Sequence, residues 1–173
     1  MKTFPAREHI RAYVCLGSNC KEAEAILART RLRLEHLPDM RPGAVSPLYH
    51  TEPQGYRQQP WFLNQVMELL PGQSWSPERL LRRLLRIERE LGRQRTPATA
   101  RFGPRVIDAD LLLYGETRST RPECLLPHPR MKERAFVLVP LLDTAPDICI
   151  DGVRADVLLA GLNYRVEKRC IFQ

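Results

Sequence analysis

The segment spanning residues 105–114 most constrains how this chain can fold, because it combines strong β-strand character with two aspartates. It reads Arg-Val-Ile-Asp-Ala-Asp-Leu-Leu-Leu-Tyr, which is apolar enough to predict a buried strand. Side chains two residues apart on a strand point to the same face, so the carboxylates of Asp108 and Asp110 should emerge together. Because each buried charge destabilises the ionised form of the other, the pair requires positive charge nearby.

Arginines are abundant just before this strand, at Arg93, Arg95, Arg101 and Arg105. The segment 93–105 is polar, contains proline and glycine, and has a length typical of functional loops. Guanidinium groups fork onto phosphate oxygens, and paired carboxylates bind magnesium. The combination therefore favours a site for a magnesium-bound polyphosphate. The alternative is a solvated or nucleic-acid-binding basic loop, with one aspartate facing water and the other paired with Arg105.

Two other patterns are candidates for a binding site. Phe62 and Asn64 should share one face of a strand, where an aromatic ring beside an amide can stack on and read a flat heterocycle. The alternative is an aromatic ring packed in the core, next to an amide whose hydrogen bonds are made within the protein.

His128 lies between two prolines, which favours a functional role on a loop. Arg134 and Phe136 are too close in a predicted helix to share a face fully, so we expect Phe136 to pack in the core.

The order of predicted elements defines the fold class. Strands are predicted over residues 12–16, 45–50, 61–70 and 105–114, and helices over 21–37, 76–91, 131–142 and 156–162. This order predicts an α+β fold with a ferredoxin-like βαββαβ core, in which an antiparallel sheet carries helices on one face and C-terminal helices follow. At 173 residues, we expect one domain over 1–173.

Composition limits the classes of protein further. The net charge of +7 favours an anionic partner. An RNA-binding ferredoxin-like module is an alternative, but its aromatic signature is absent from the sequence and it leaves the aspartate pair unexplained. Five scattered cysteines indicate neither a disulfide framework nor a zinc site. No apolar run approaches the roughly 20 residues that span a bilayer, and no signal peptide is visible. We therefore expect a cytoplasmic protein that contacts no membrane.

Four sequence blocks, at residues 16–19, 46–64, 88–114 and 126–141, together resemble the 6-hydroxymethyl-7,8-dihydropterin pyrophosphokinase family of folate biosynthesis. The block Arg-Phe-Gly-Pro-Arg-Val-Ile-Asp-Ala-Asp-Leu is highly specific. The resemblance implies transfer of a pyrophosphoryl group from ATP to the pterin hydroxymethyl oxygen, yielding AMP. It also implies two magnesium ions bridged by Asp108 and Asp110. The implied partners are ATP and the dihydropterin, with no nucleic acid, and we expect a monomer or a weak homodimer.

The resemblance also assigns site residues. The implied catalytic residues are Arg93, Arg105, Asp108 and Asp110. The implied pterin-binding residues are Thr51, Phe62, Asn64 and Phe136, with the two aromatic rings sandwiching the pterin. The implied ATP-binding residues are Glu88, Arg95, Phe102, Leu111, His128 and Arg134. The chain departs from some members of the family: Phe102 stands where tryptophan is frequent, Phe62 where tyrosine is frequent, Pro129 where some have tyrosine, and Glu123 where some have arginine.

Overall fold

The structure is a computed structural model that describes residues 10–55, 57–93 and 105–173. The first half of the chain forms β1 (Ala12–Ser18), α1 (Ala23–Glu35), β2 (Met40–Val45), β3 (Tyr49–Thr51), β4 (Phe62–Pro71) and α2 (Pro77–Glu90). The second half forms β5 (Asp108–Tyr114), β6 (Ser119–Arg121), β7 (Cys124–Leu126), a 3-10 turn (Met131–Glu133), α3 (Ala135–Thr144), β8 (Cys149–Ile150), β9 (Val153–Arg154), α4 (Ala155–Ala160), β10 (Arg165–Glu167) and β11 (Cys170–Phe172). The fold is therefore mixed, with both strands and helices along the whole chain.

Seven of these strands form the main sheet, in the order β10-β11-β3-β4-β1-β5, and β2 also pairs with β4. β1 lies inside the sheet and pairs antiparallel with both β4 and β5. The antiparallel prediction is thus correct for the strands that surround β1. The pairing of β11 with β3 is parallel, and it adds to the sheet a strand that lies beyond the last predicted element.

Helices cover both faces of this sheet, which explains why β1 is buried along its whole length. On one face, α1 and α2 contribute leucines and Ile87 to a core cluster that includes Val14 and Leu16 of β1. On the other face, α3 and α4 form a second cluster with Tyr13 and Cys15. The two helices of the predicted core, α1 and α2, thus lie on one face, and the additional C-terminal helices lie on the opposite face.

The start of α2 follows its sequence signals. The hydroxyl of Ser76 accepts a hydrogen bond from the backbone N–H of Arg79 at 3.2 Å, and Pro77 occupies the first turn. Gly92, with φ +95°, follows the helix. The helix predicted over 76–91 is confirmed, and its buried stripe faces β5.

Three predicted boundaries are wrong. The strand predicted over 45–50 is divided into β2 and β3, because Ser46 bonds to Val66 through both its backbone N–H and its hydroxyl, and Pro47 has no N–H to continue a ladder. The strand predicted over 105–114 begins only at Asp108. The helix predicted over 131–142 is interrupted at Arg134, whose φ of −122° and ψ of 106° are extended.

The C-terminal segment contributes to the same unit. The short helix predicted over 156–162 corresponds to α4, and the residues after it return to the edge of the main sheet. Across the parts of the chain that the structure describes, no helix is long and apolar enough to cross a bilayer.

Candidate active site

The aspartate pair opens β5 and faces away from α2. Asp108 lies opposite Gly17 of β1, and Asp110 lies opposite Cys15. The intervening Ala109 is buried in the cluster beneath α1 and α2, so both carboxylates emerge on the other face. Their side chains are 22% and 33% exposed. The prediction that the two carboxylates share one face is confirmed.

Two arginines hold the carboxylate of Asp108. The guanidinium groups of Arg93 and Arg105 each donate to one of its oxygens. Burial raises the pKa of Asp108, but the charges of Arg105 and Arg93 outweigh burial and hold that pKa below its usual range. Arg93 also donates to the carboxylate of Glu88, which is 1% exposed and accepts the backbone N–H of Ala109 at 2.8 Å. Glu88 therefore fixes both Arg93 and the start of β5.

The negative charge of Asp110 is balanced less closely by neighbouring positive charge than that of Asp108. Its carboxylate lies 3.6 Å from a guanidinium nitrogen of Arg134 and 3.9 Å from Nε2 of His128. Burial, and then the charge of Asp108, raise the pKa of Asp110 to about 7, although Arg134 opposes the rise. Burial and the charge of Arg134 lower the pKa of His128 to about 4, so its imidazole is neutral near pH 7. A bound cation would stabilise the ionised form of Asp110.

The donor chemistry of this pair fits magnesium. Magnesium is held in enzymes by one or two carboxylates, and substrate phosphates and waters complete its six oxygen ligands. Within residues 10–55, 57–93 and 105–173, no group of three or more His, Cys, Asp or Glu side chains is placed to hold a metal ion. The described residues thus offer a carboxylate pair suited to a substrate-borne ion, and no cage made of protein ligands alone.

A pocket on the β3–β4 side of the pair, which we call the aromatic pocket, brings together most of the predicted heterocycle-binding residues. It is lined by Thr51, Glu52, Gln54, Phe62, Asn64, Arg105, Arg130, Arg134 and Phe136. Asn64 donates from Nδ2 to the hydroxyl of Thr51 at 2.6 Å, and both residues are buried. Phe62 and Asn64 line the same pocket, as their two-residue spacing on β4 predicts.

Arg134 and Phe136 contact each other, contrary to the sequence prediction. The guanidinium carbon of Arg134 lies 5.4 Å from the centre of the Phe136 ring. The prediction fails because Arg134 is extended and precedes α3, so the two residues do not have helical spacing. Phe136 packs against the second core cluster but also lines the aromatic pocket. Nε of Arg134 is buried and has no hydrogen-bond partner among the described residues.

A second pocket, which we call the Asp110 pocket, lies on the other side of the pair. Its walls come from α2, β5, β7 and the loop after β7, and consist of Leu81, Leu85, Ala109, Asp110, Leu111, Pro122, Glu123, Cys124, Leu125, Leu126, His128 and Pro129. Asp110 lines this pocket, whereas its contact Arg134 lines the aromatic pocket. The two pockets therefore adjoin the same charged centre.

Not every predicted residue lies at these pockets. Glu88 is buried behind Arg93 and lines neither of them. Arg95 and Phe102 lie outside the described residues. The sequence reasoning missed Arg130 and Gln54, which line the aromatic pocket. The only available signal for Arg130 was its place in the proline-flanked basic segment after His128.

Carboxylates for a metal ion, converging arginines and two adjoining pockets define the class of enzyme that transfers a phosphate-containing group between two substrates. Comparisons with known proteins are consistent with this class. Residues 13–146 match the model of the 7,8-dihydro-6-hydroxymethylpterin-pyrophosphokinase (HPPK) family. The chain belongs to this family, whose members are transferases of folate biosynthesis.

Individual relatives carry the same name. The chain is 44% identical over 155 residues to the 2-amino-4-hydroxy-6-hydroxymethyldihydropteridine pyrophosphokinase of Pseudomonas aeruginosa, covering 89% of this chain and 93% of that protein. It is 35% identical over 157 residues to the protein of that name from Bacillus subtilis, covering 91% of each. Among solved structures, wild-type Plasmodium falciparum HPPK-DHPS superposes with a TM-score of 0.60 at 12% identity, over 91% of this chain. The chain spans 45% of that longer protein, so this likeness concerns the fold alone.

Proposed function

We propose that this chain transfers a pyrophosphoryl group from ATP to the hydroxymethyl oxygen of 6-hydroxymethyl-7,8-dihydropterin, giving the pterin diphosphate and AMP. The observation that best supports this is the position of Asp110, which lines the Asp110 pocket and lies 3.6 Å from Arg134, a residue that lines the aromatic pocket. Joining two substrates requires that both be held beside one charged centre in a near-attack geometry. The two pockets provide this arrangement if each binds one substrate.

In this proposal the aromatic pocket binds the pterin. The rings of Phe62 and Phe136 would sandwich its flat bicycle, and Asn64 would hydrogen-bond the pterin edge. The hydroxyl of Thr51 accepts from Nδ2 of Asn64 at 2.6 Å, which fixes the amide in one orientation. A preoriented amide discriminates between heterocycles that differ in their donors and acceptors, because a mismatch leaves a buried polar group unpaired.

The Asp110 pocket would bind the nucleotide. Its apolar wall, which includes Leu111, suits a purine base, and His128 and Arg134 lie where a polyphosphate would run towards Asp110. Arg95 and Phe102, which lie outside the described residues, would complete the ATP contacts. Glu88 would act through Arg93, because its buried carboxylate contacts that guanidinium.

The aspartate pair and the two arginines beside it would stabilise the negative charge of the group that is transferred. Asp108 and Asp110 would hold two magnesium ions, which neutralise the polyphosphate and lower the pKa of the pterin hydroxyl when bound. Arg93 and Arg105 now pair with Asp108. We infer that they exchange this carboxylate for phosphate oxygens in the reacting complex, where guanidinium groups stabilise charge on the transferred group.

Formation of AMP tests the proposal directly. The protein is incubated with ATP, magnesium and 6-hydroxymethyl-7,8-dihydropterin, and AMP is separated by anion-exchange chromatography. We expect AMP to form only when all three are present, and to be lost in Asp110→Asn. Asp156→Asn is the matched control, because Asp156 is exposed, pairs with Arg154 and lines neither pocket. No AMP from the unsubstituted protein would refute the function, whereas near-normal AMP from Asp110→Asn would refute the role of that carboxylate.

The finer architecture is also a proposal. The strand order β5-β1-β4-β3, with α1 and α2 on one face, supports a ferredoxin-like core, and we propose that residues 1–173 form one pyrophosphokinase domain. We also propose that the protein acts as a monomer or a weak homodimer.

A further inference from the structure

Residues after α4 return to the edge of the main sheet beside the aromatic pocket. β10 and β11 form a hairpin, and β11 pairs parallel with β3, so that Ile171 lies opposite Thr51. Ile171 is buried, and its carbonyl accepts the backbone N–H of Glu52 at 3.1 Å. This hairpin lies outside the segment 13–146 that matches the family model, yet it is attached to a strand whose last residue lines the aromatic pocket.

Gln173, directly after β11, connects two separate parts of the chain through its side-chain amide. Its Oε1 accepts from Nε2 of Gln54 at 2.9 Å and from the backbone N–H of Ala135 at 2.8 Å. Its Nε2 donates to the carbonyl of Glu133 at 2.8 Å. Its backbone N–H donates to the carboxylate of Glu52 at 3.2 Å. One residue thus links the segment after β3 to the segment that enters α3.

The bond to Ala135 replaces a missing helix cap. The first backbone N–H groups of a helix have no partner within the helix. The residue before α3 is Arg134, whose side chain makes no capping hydrogen bond because a guanidinium group has only donors and cannot accept from a backbone N–H. The amide oxygen of Gln173 supplies the acceptor instead, so Arg134 can serve the site while α3 still begins at Ala135.

The linked segments form two walls of the aromatic pocket. Glu52 and Gln54 come from one segment, and Arg134 and Phe136 come from the other. We propose that Gln173 is a positioning residue that sets the spacing of these two walls and thereby the affinity for the pterin. This inference rests on the proposed function, because it takes the aromatic pocket as the pterin site. The Asp110 pocket shares no residue with Gln173's partners and adjoins them only through the contact of Asp110 with Arg134, so ATP affinity should depend on Gln173 much less than pterin affinity does.

The decisive variant is Gln173→Leu, which keeps the approximate size of the side chain and removes its three hydrogen bonds. We expect the KM for the pterin to rise about ten-fold, as the loss of roughly one net hydrogen bond would produce, and the KM for ATP to rise much less. Gln173→Glu retains an acceptor for Ala135 and Gln54 but loses the donor to Glu133, so its pterin KM should fall between those of Gln173→Leu and the unsubstituted protein. Glu167→Gln is the matched control, because Glu167 lies in the same hairpin and forms only an exposed pair with Arg165.

Steady-state kinetics and thermal unfolding of all four proteins separate the outcomes. A selective rise in pterin KM, partly rescued in Gln173→Glu, supports the positioning role. An unchanged pterin KM in Gln173→Leu overturns it, and so does an equal rise in both KM values, since that would indicate a general loss of structure. If Gln173→Leu does not fold, an unchanged pterin KM in Gln173→Glu overturns it. Absence of AMP from the unsubstituted protein would instead refute the proposed function, and this inference with it.

Discussion

Replacing Glu88 by glutamine should lower the free energy of unfolding, because it removes a buried negative charge that pairs with Arg93. Glu88 is 1% exposed, and its carboxylate accepts from Arg93 and from the backbone N–H of Ala109. Glutamine retains an oxygen for Ala109 but loses the charge that faces Arg93. A hydrogen bond to a charged group contributes about 1.5–3 kcal/mol, so the free energy of unfolding should fall by about that amount. The loss should stay below the roughly 3–5 kcal/mol of a fully broken buried pair, because Arg93 keeps its contact with Asp108.

Urea denaturation monitored by circular dichroism measures this loss, since the unfolding free energy falls linearly with urea concentration. Glu90→Gln is the matched control on the same helix. Glu90 pairs with Arg33, Arg83 and Arg86, but its side chain is 35% exposed, and exposed ion pairs contribute little. Equal losses in the two variants would refute the reasoning, because burial would then not distinguish the two carboxylates.

Three further predictions concern the site, a helix cap and a buried phenol. Arg105→Ala should lower kcat about 10²-fold, as for loss of a transition-state donor; steady-state kinetics that show a change in KM alone would contradict this role. Ser76→Ala should lower the free energy of unfolding by about 1 kcal/mol, because it removes the cap that accepts from Arg79; urea denaturation with no measurable shift would exclude the cap's contribution. Burial and the hydrogen bond to Asp143 raise the pKa of Tyr49 to about 12. The unfolded phenol titrates near pH 10, so the folded state retains its proton longer, and stability should fall as pH rises from about 10 to 12. Tyr49→Phe should show a shallower fall over this window in pH-dependent unfolding, and an unchanged slope would contradict the prediction.

The sequence predicted those elements whose signals are local. α2 has a capping serine, a proline in its first turn and a buried apolar stripe, and all three act within the helix itself. β4 and β5 were recognisable because they are long and apolar. The aspartate pair and the pair Phe62–Asn64 were placed correctly on their faces, because the two-residue period of a strand does not depend on the partner strand.

The failures arise where distant contacts decide the structure. β10 has three exposed residues, and nothing in its sequence distinguishes it from a loop. It is a strand because it pairs with β11, which in turn pairs with β3. The contact between Arg134 and Phe136 was missed because a single extended residue interrupts the predicted helix. Gln173 could not be identified as a linking residue, since its bonds reach residues 38 to 121 positions away.

Gly17 lies between the residues proposed to bind the pterin and those proposed to hold magnesium. It lies on β1 directly opposite Asn64 of β4 on one side and Asp108 of β5 on the other. A Cβ atom at this position would lie 2.5 Å from Oδ1 of Asn64, so any side chain would displace that amide and weaken its bond to Thr51. Asn64 is proposed to bind the pterin, and Asp108 is proposed to hold magnesium. The two residues can lie on either side of β1 because Gly17, between them, has no side chain. This close approach explains a glycine near the end of a fully buried strand, where it otherwise costs conformational entropy and packing.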